Sequence, residues 1–378
     1  MNHVLQLLLP TLLPTLTTEF QLSHYTAGLL VACFVLPYSI LQIPFGYICD
    51  RKGRKNIMVL GLILYASATF ACGLAQNVIQ LGLAQFLAGV GGASYHPVGI
   101  PIISMVVSKQ KRGQAMGMHQ TGGAIGSFVV PVTAAYIGVV LGWRYSFIIL
   151  SLLGIITIFF WQRIDKLRFG DQEEREHANP NKTIFKSATV KFLLVLFIFG
   201  LLHVLPFRGL TPFLTTYATE KYGLRLESAA QLLSWLQMMG IVGSPLFGKL
   251  SDIVGRQKML AILILCQSLV MYLITRTSFE ILAFLLGAMG LLAYGCLAVT
   301  DTWVTEMSVA SIIGTAVGVV VTASFFIGAI ITPMVGFLAD QISFDFAFRI
   351  LSVATLLGLP ILRYVKCEKK ETIDTMTQ

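Results

Sequence analysis

The sequence predicts an all-α membrane protein: twelve transmembrane helices in two pseudo-symmetric six-helix bundles, with a short first helix. Three observations predict it. The 378 residues are 56% hydrophobic and only 12% charged, against roughly a quarter charged in soluble domains. Apolar runs of about 20 residues, the length a helix needs to cross a bilayer, recur along the chain without the strict alternation of a barrel strand. Finally, one short segment occurs twice. Its first copy reads Gly46-Tyr47-Ile48-Cys49-Asp50-Arg51-Lys52-Gly53-Arg54-Lys55, its second Gly248-Lys249-Leu250-Ser251-Asp252-Ile253-Val254-Gly255-Arg256-Gln257-Lys258. Each copy closes one apolar run and opens the next.

Spans are expected at 2–17, 24–48, 57–74, 78–107, 113–140, 143–162, 190–218, 227–250, 257–275, 278–305, 309–339 and 344–364. The first is short and holds Pro10 and Pro14. Either this helix is kinked and supported by neighbours, or the true start lies upstream. No cleavable signal peptide is evident. Residues 163–189 form a mixed-charge linker, with Asp171-Gln172-Glu173-Glu174-Arg175-Glu176 and Asn179-Pro180-Asn181. It divides the chain into an N-terminal bundle (1–162) and a C-terminal bundle (190–365), followed by a tail (366–378).

The net charge of +9 does not point to nucleic acid, because its distribution follows topology. Of the 27 Lys and Arg residues, Arg208 lies within a span and Arg144, Lys221, Arg225, Arg276 and Arg349 fall outside; the other 21 fall inside when both termini are cytosolic. This is the positive-inside pattern of a multi-pass protein of the cytoplasmic membrane, with the linker and tail in the cytosol. The six cysteines lack metal-ligand spacing and read as small core residues.

The halves repeat beyond the paired segment. The fifth span opens Arg112-Gly113-Gln114-Ala115-Met116-Gly117 and later carries Gly126 and Pro131; the eleventh opens Ile313-Gly314-Thr315-Ala316-Val317-Gly318 and later carries Gly328 and Pro333. The two pairs are offset by 202 and 201 residues, which marks a duplication.

G-x-x-x-D-x-x-G-R between the second and third spans of each half, with six plus six helices and a central linker, resembles the major facilitator superfamily over essentially the whole chain. In physical terms, Gly46 and Gly248 would let helix backbones approach closely. Asp50 and Asp252 would face a helix N-terminus or a basic partner, Gly53 and Gly255 would permit a tight turn, and Arg51, Arg54 and Arg256 would bridge helices. The resemblance implies that this constellation latches the outward-facing state. Gly91-Gly92-Ala93-Ser94-Tyr95-His96-Pro97-Val98-Gly99 and Ala115-Met116-Gly117-Met118-His119-Gln120-Thr121-Gly122-Gly123 are similar to the fosmidomycin-resistance group of efflux transporters. One departure stands out: where proton-coupled exporters often carry an arginine in the fourth helix, this chain has Gln85.

Ionisable residues inside a bilayer are costly and point to function. At about 1.5 Å per residue, His96 lies roughly 16 Å and His119 roughly 10 Å from the cytosolic helix ends. Both could share one cavity and carry a proton or donate to an anion, or each could bond a neighbouring carbonyl. His203 and Arg208 lie in the seventh span between Pro206 and Pro212 or just before them. The Arg208 guanidinium suits a carboxylate, phosphate or phosphonate, or would snorkel outward. Asp301 is either a proton carrier or a partner for a basic residue at the cytosolic gate.

No nucleotide-binding loop and no nucleophile or metal constellation is present. The expectation is therefore a non-enzymatic, cofactor-free, monomeric secondary transporter working by alternating access, with the proton gradient as driving force. Its partners would be the lipid bilayer, protons and a small-molecule substrate. Proton-coupled efflux of a small organic, drug-like compound, neutral or anionic, leads; uptake of an organic acid or similar nutrient is the alternative, and a non-transporting sensor is the reading from another class.

Overall fold

The structure, a computed structural model, describes residues 2–52, 54–99, 112–163, 187–308 and 313–364. Among them there is no strand. The helices are α1 (Asn2–Gln6), α2 (Leu8–Phe20), α3 (His24–Ile40), α4 (Gln42–Lys52), α5 (Arg54–Leu74), α6 (Val78–Gly92), α7 (95–99, as far as described), α8 (Arg112–Val140) and α9 (Trp143–Arg163) in the first half. The second half holds α10 (Ser187–Leu202), α11 (Leu205–Tyr222), α12 (Leu226–Val254), α13 (Arg256–Ile274), α14 (Phe279–Met307), α15 (Ile313–Gln341), α16 (Phe344–Thr355) and α17 (Gly358–Tyr364). Ten helical spans among the described residues are long and apolar enough to cross a membrane. The broken pair α1–α2 and the more polar α12 bring the crossings to twelve.

More helices than crossings exist because five crossings break, and each break falls four or five residues before a proline. α1 ends at Gln6 ahead of Pro10, α3 at Ile40 ahead of Pro44 and α6 at Gly92 ahead of Pro97. In the second half α10 ends at Leu202 ahead of Pro206, and α16 at Thr355 ahead of Pro360. Proline has no N–H for the carbonyl one turn earlier, and its ring crowds that carbonyl. Neighbouring helices satisfy some of the freed groups. The Leu202 carbonyl accepts the Thr355 hydroxyl at 3.0 Å. Pro14 does not break α2, yet it frees the Pro10 carbonyl, which accepts the Thr215 hydroxyl of the other half at 2.7 Å. The first helix is thus kinked and supported by its neighbours.

Three helices that start at the end away from the paired segment are capped by a side-chain oxygen. Ser23 accepts from the Thr26 N–H, Asn77 from Gln80 and Ser343 from Phe346. Within the first half α5 lies between α6 and α9, and α3 lies on α6; within the second, α12 and α13 flank α14 and α10 lies on α15. Between halves, α3 runs along α15 and α8 along α12, two pairs exchanged by the sequence repeat, while α2 leans on α11.

The core is not the same at both ends. At the end where α3 begins, one apolar cluster spans both halves and joins Leu8, Leu12 and Leu16 to Phe213, Leu214 and Leu236. At the end carrying the paired segment the described core divides. Met58, Leu62 and Val98 stand in the first half, and Phe199, Leu263, Val299 and Trp303 in the second. Among the described residues, the halves therefore share one core at the α3 end and are parted at the other.

Candidate functional site

The second copy of the paired segment is fully described. α12 runs through Asp252 to Val254, and α13 begins at Arg256. The expected loop is thus a one-residue junction at Gly255, whose φ of 93° lies where side chains are disfavoured. Arg256 is the hub. It donates to the Gly248 carbonyl at 3.2 Å, to Ser251 Oγ at 2.5 Å and to Glu306 at 2.9 Å, and it pairs with Asp252 at 2.5 Å. These contacts tie α12, α13 and α14 into one rigid end of the second half.

Two expectations need correction here. A Cβ added at Gly248 would meet nothing within 4 Å, and one at Gly46 only the Pro97 Cβ at 3.7 Å. Neither glycine serves close helix approach in this state, because among the described residues no backbone of another helix lies against them. The α14 carboxylate that pairs with the gate arginine, beside Asp252 of α12, is Glu306, not Asp301. Among the described residues the Asp301 side chain has no ion pair and is exposed. In the first copy, Gly53 and the side chains of Asp50, Arg51 and Arg54 lie outside the described residues, as does the side chain of His119.

Between the halves, α11 carries Arg208 toward the first half. Its guanidinium carbon sits 4.0 Å from the centroid of the Phe325 ring on α15. The Phe325 ring lies 5.0 Å from that of Tyr38 on α3, which stacks on Phe34 at 5.4 Å. Gly328, one turn along α15, leaves room beside the arginine: a Cβ there would stand 3.5 Å from Arg208 Cδ. The Tyr38 hydroxyl accepts from Asn2 at 3.1 Å, and Tyr65 donates to the Asn2 carbonyl at 3.2 Å. Tyr294 donates to Gln237 at 2.7 Å. Among the described residues no carboxylate pairs with Arg208. Its Nε, Asn2 Oδ1, Gln6 Nε2 and Thr211 Oγ1 are buried without a hydrogen-bond partner. A cation on an aromatic face, with a buried N–H left unpartnered and no carboxylate beside it, is what a small organic anion would complete.

The histidines divide. His96 on α7 has its ring 6.1 Å from His3, 6.3 Å from Tyr38 and 5.2 Å from Tyr95, so it lines the same interior as the Tyr38 shelf. His203, at the break between α10 and α11, is buried. It stacks on Phe199 at 4.9 Å and its Nδ1 donates to the Phe199 carbonyl at 2.9 Å, which fixes its ring in the core of the second half. Gln85 is buried and donates to Cys72 Sγ at 3.5 Å.

At the sealed end, sequence reasoning missed a cluster. His24 Nδ1 lies 2.6 Å from Asp340 Oδ1 and Nε2 lies 2.8 Å from Glu220 Oε1. The backbone N–H groups of His24 and Tyr25 also donate to Asp340, both at 2.9 Å. Its only sequence signal was a lone histidine at a span end and two carboxylates at two others.

The profile of the Major Facilitator Superfamily matches residues 4–270 and 196–374 of the chain. The cis,cis-muconate transport protein of Acinetobacter baylyi (strain ATCC 33305 / BD413 / ADP1) is 27% identical, over 92% of this chain and 87% of its own length. The multidrug resistance protein MdtG of Citrobacter koseri is 28% identical over 68% of this chain and 66% of its own. Among solved structures, a bacterial homolog of the human lysosomal transporter Spinster, in an inward-facing and occupied conformation, superposes with a TM-score of 0.79 at 19% identity, covering 96% of this chain and 92% of that one.

Proposed function

The chain belongs to the major facilitator superfamily, and on that premise we propose that it is an alternating-access carrier of a small organic-acid anion, with the carboxylate seated on Arg208 between the two halves. One observation carries the reading: a guanidinium in the membrane interior, its carbon 4.0 Å from the centroid of the Phe325 ring, with no carboxylate partner among the described residues. Leaving such a charge unpaired is costly, and a bidentate carboxylate would satisfy it. The similarity to a cis,cis-muconate transport protein over 92% of the chain supports the same substrate class.

In this reading the paired segment and both termini face the cytosol of a cell-membrane protein, and the state described is open to the cytosol. Uptake is driven by the proton gradient, with His96, His119 and Asp301 as the groups that titrate. Efflux of a drug-like compound is the second reading, favoured by the similarity to MdtG. Proton coupling and direction are both tested by flux in proteoliposomes with imposed gradients.

The decisive test is ligand-induced thermal stabilisation of the purified protein by cis,cis-muconate, other carboxylates and lipophilic cations at two pH values. Carboxylates are expected to stabilise it. A charge-assisted hydrogen bond contributes about 1.5–3 kcal/mol, so Arg208→Gln should weaken binding about ten- to 150-fold. Equal affinity in wild type and Arg208→Gln would overturn the assignment.

A further inference from the structure

The seal at the α3 end is held by an arrangement that a neutral histidine cannot maintain. Both ring nitrogens of His24 face carboxylate oxygens, Nδ1 toward Asp340 at 2.6 Å and Nε2 toward Glu220 at 2.8 Å. A neutral imidazole has one N–H and one lone pair, so one of these contacts would set lone pair against lone pair; the imidazolium donates at both. The three residues come from three helices on both sides of the divide: His24 opens α3, Glu220 lies near the end of α11 and Asp340 near the end of α15. The first half contributes the cation and the second half contributes both anions.

We infer that His24 is a proton-binding site that latches the two halves at this end, so that protons from that side favour the state sealed there and parted at the paired segment. The inference rests on the reading of the chain as an alternating-access carrier, but not on the identity of its cargo.

The surroundings leave His24 as the group that responds. From α16 it is faced by the Phe344 ring, 4.7 Å between centroids, which carries no charge. Lys221, next to Glu220, is turned away to Asp345 at 2.8 Å. Glu19, near the end of α2, is held by Arg144 at 2.7 Å. The His24 side chain keeps 24% exposure, so protons reach it from the aqueous side. α3 and α15 touch closely here, since a Cβ at Gly28 would stand 2.7 Å from Pro333 Cα. Parting the halves at this end pulls His24 from both carboxylates and returns it to water, where it charges over the ordinary range of about pH 5 to 8. Above that range's midpoint the sealed state therefore binds up to one more proton than the parted state. Acid favours sealing; raising the pH favours parting.

The test uses the full chain in nanodiscs without substrate. Its native cysteines are replaced and spin labels placed on Leu141→Cys and Ile342→Cys, both exposed and on opposite halves of this end. Distances are measured from about pH 5 to 8. In the otherwise unchanged chain the ratio of parted to sealed molecules should rise with pH, by up to about tenfold per unit, the limit for one proton. His24→Gln should be flat and parted, whereas His24→Arg should be flat and sealed. Glu220→Gln, on the rim, should reduce the total change and keeps the test decisive if a His24 variant fails to fold. A pH-independent parent, or a His24→Gln or Glu220→Gln variant with the parent's full response, would overturn the latch. Titration of the distance with no stabilisation by any carboxylate would refute the organic-anion reading and leave the latch standing; the converse result would refute the latch alone.

Discussion

Gly336 offers a direct way to unbalance the carrier. It lies on α15 against the start of α3, where a Cβ would collide with the His24 carbonyl oxygen and stand 2.5 Å from its carbon and 2.9 Å from the Tyr25 nitrogen. All three obstacles are backbone atoms of the other half, so no side-chain rotation relieves them. Gly336→Ala should therefore push α3 and α15 apart at the sealed end. Overpacking by one methyl costs about 1–3 kcal/mol, and 1.4 kcal/mol is a factor of ten. The equilibrium should shift about five- to 150-fold toward the state parted at this end. The gain in helix propensity from Gly to Ala applies in both states and cancels. The Leu141–Ile342 label distance reads the shift directly. Gly248→Ala is the control: its new Cβ meets nothing within 4 Å in the described state, so it should not drive the halves apart at the sealed end. If folded Gly336→Ala keeps the parent's distance distribution, the two halves do not seal through α3 and α15.

Thr215→Val removes the donor that satisfies the Pro10 carbonyl. Leaving a buried acceptor unpaired costs about 1–3 kcal/mol, so the variant should melt at a lower temperature in detergent, and an unchanged melt would show that the bond is not formed. Glu306→Gln takes one of four partners from Arg256, on a side chain that is 53% exposed. Exposed ion pairs contribute about 0–1 kcal/mol, so its melting shift should be small and well below that of Arg256→Ala; the reverse order would show that Glu306, not the Gly248–Ser251–Asp252 cradle, anchors the arginine.

Much of the fold was legible residue by residue. The duplicated segment and the near-equal offsets announced two halves, and family membership and the solved structures agree with twelve helices in two bundles. The prolines were visible too, and their consequence was drawn for the first, fourth and seventh spans but not for the second and twelfth. The same rule, a break one turn before Pro10, Pro44, Pro97, Pro206 and Pro360, would have located every interrupted crossing. Gly255 was read correctly as a turn residue because a positive φ is a local property. Gly46 and Gly248 were read as close-contact residues, and in this state they are not, because whether a glycine has a neighbour depends on which end of the carrier is closed.

The candidate site was less legible. Arg208 stood out because an arginine between two prolines in an apolar run is costly wherever it points. That it lies on Phe325 beside Gly328, rather than reaching the membrane surface, depends on α15, over a hundred residues away. His203 carried the same signal and proved to be a stacked core histidine bonded to the Phe199 carbonyl. Glu306 was passed over for Asp301, because depth along one helix does not tell which face meets α13.

By itself the sequence determined the class of molecule, the duplication, the helix breaks and the short list of interior charges. Each of these follows from hydropathy, backbone chemistry or spacing within a few turns of one helix. Only the tertiary structure decided which charges meet: Arg256 with Glu306, Arg208 with no carboxylate among the described residues, and His24 with Glu220 and Asp340. Those pairings join residues that the chain separates by 50 to 316 positions, and they depend on how two halves close at one end while parting at the other. On the proposed alternating-access reading a single sequence must fold into both arrangements, so it encodes the groups that can pair, and the packing of each state selects among them.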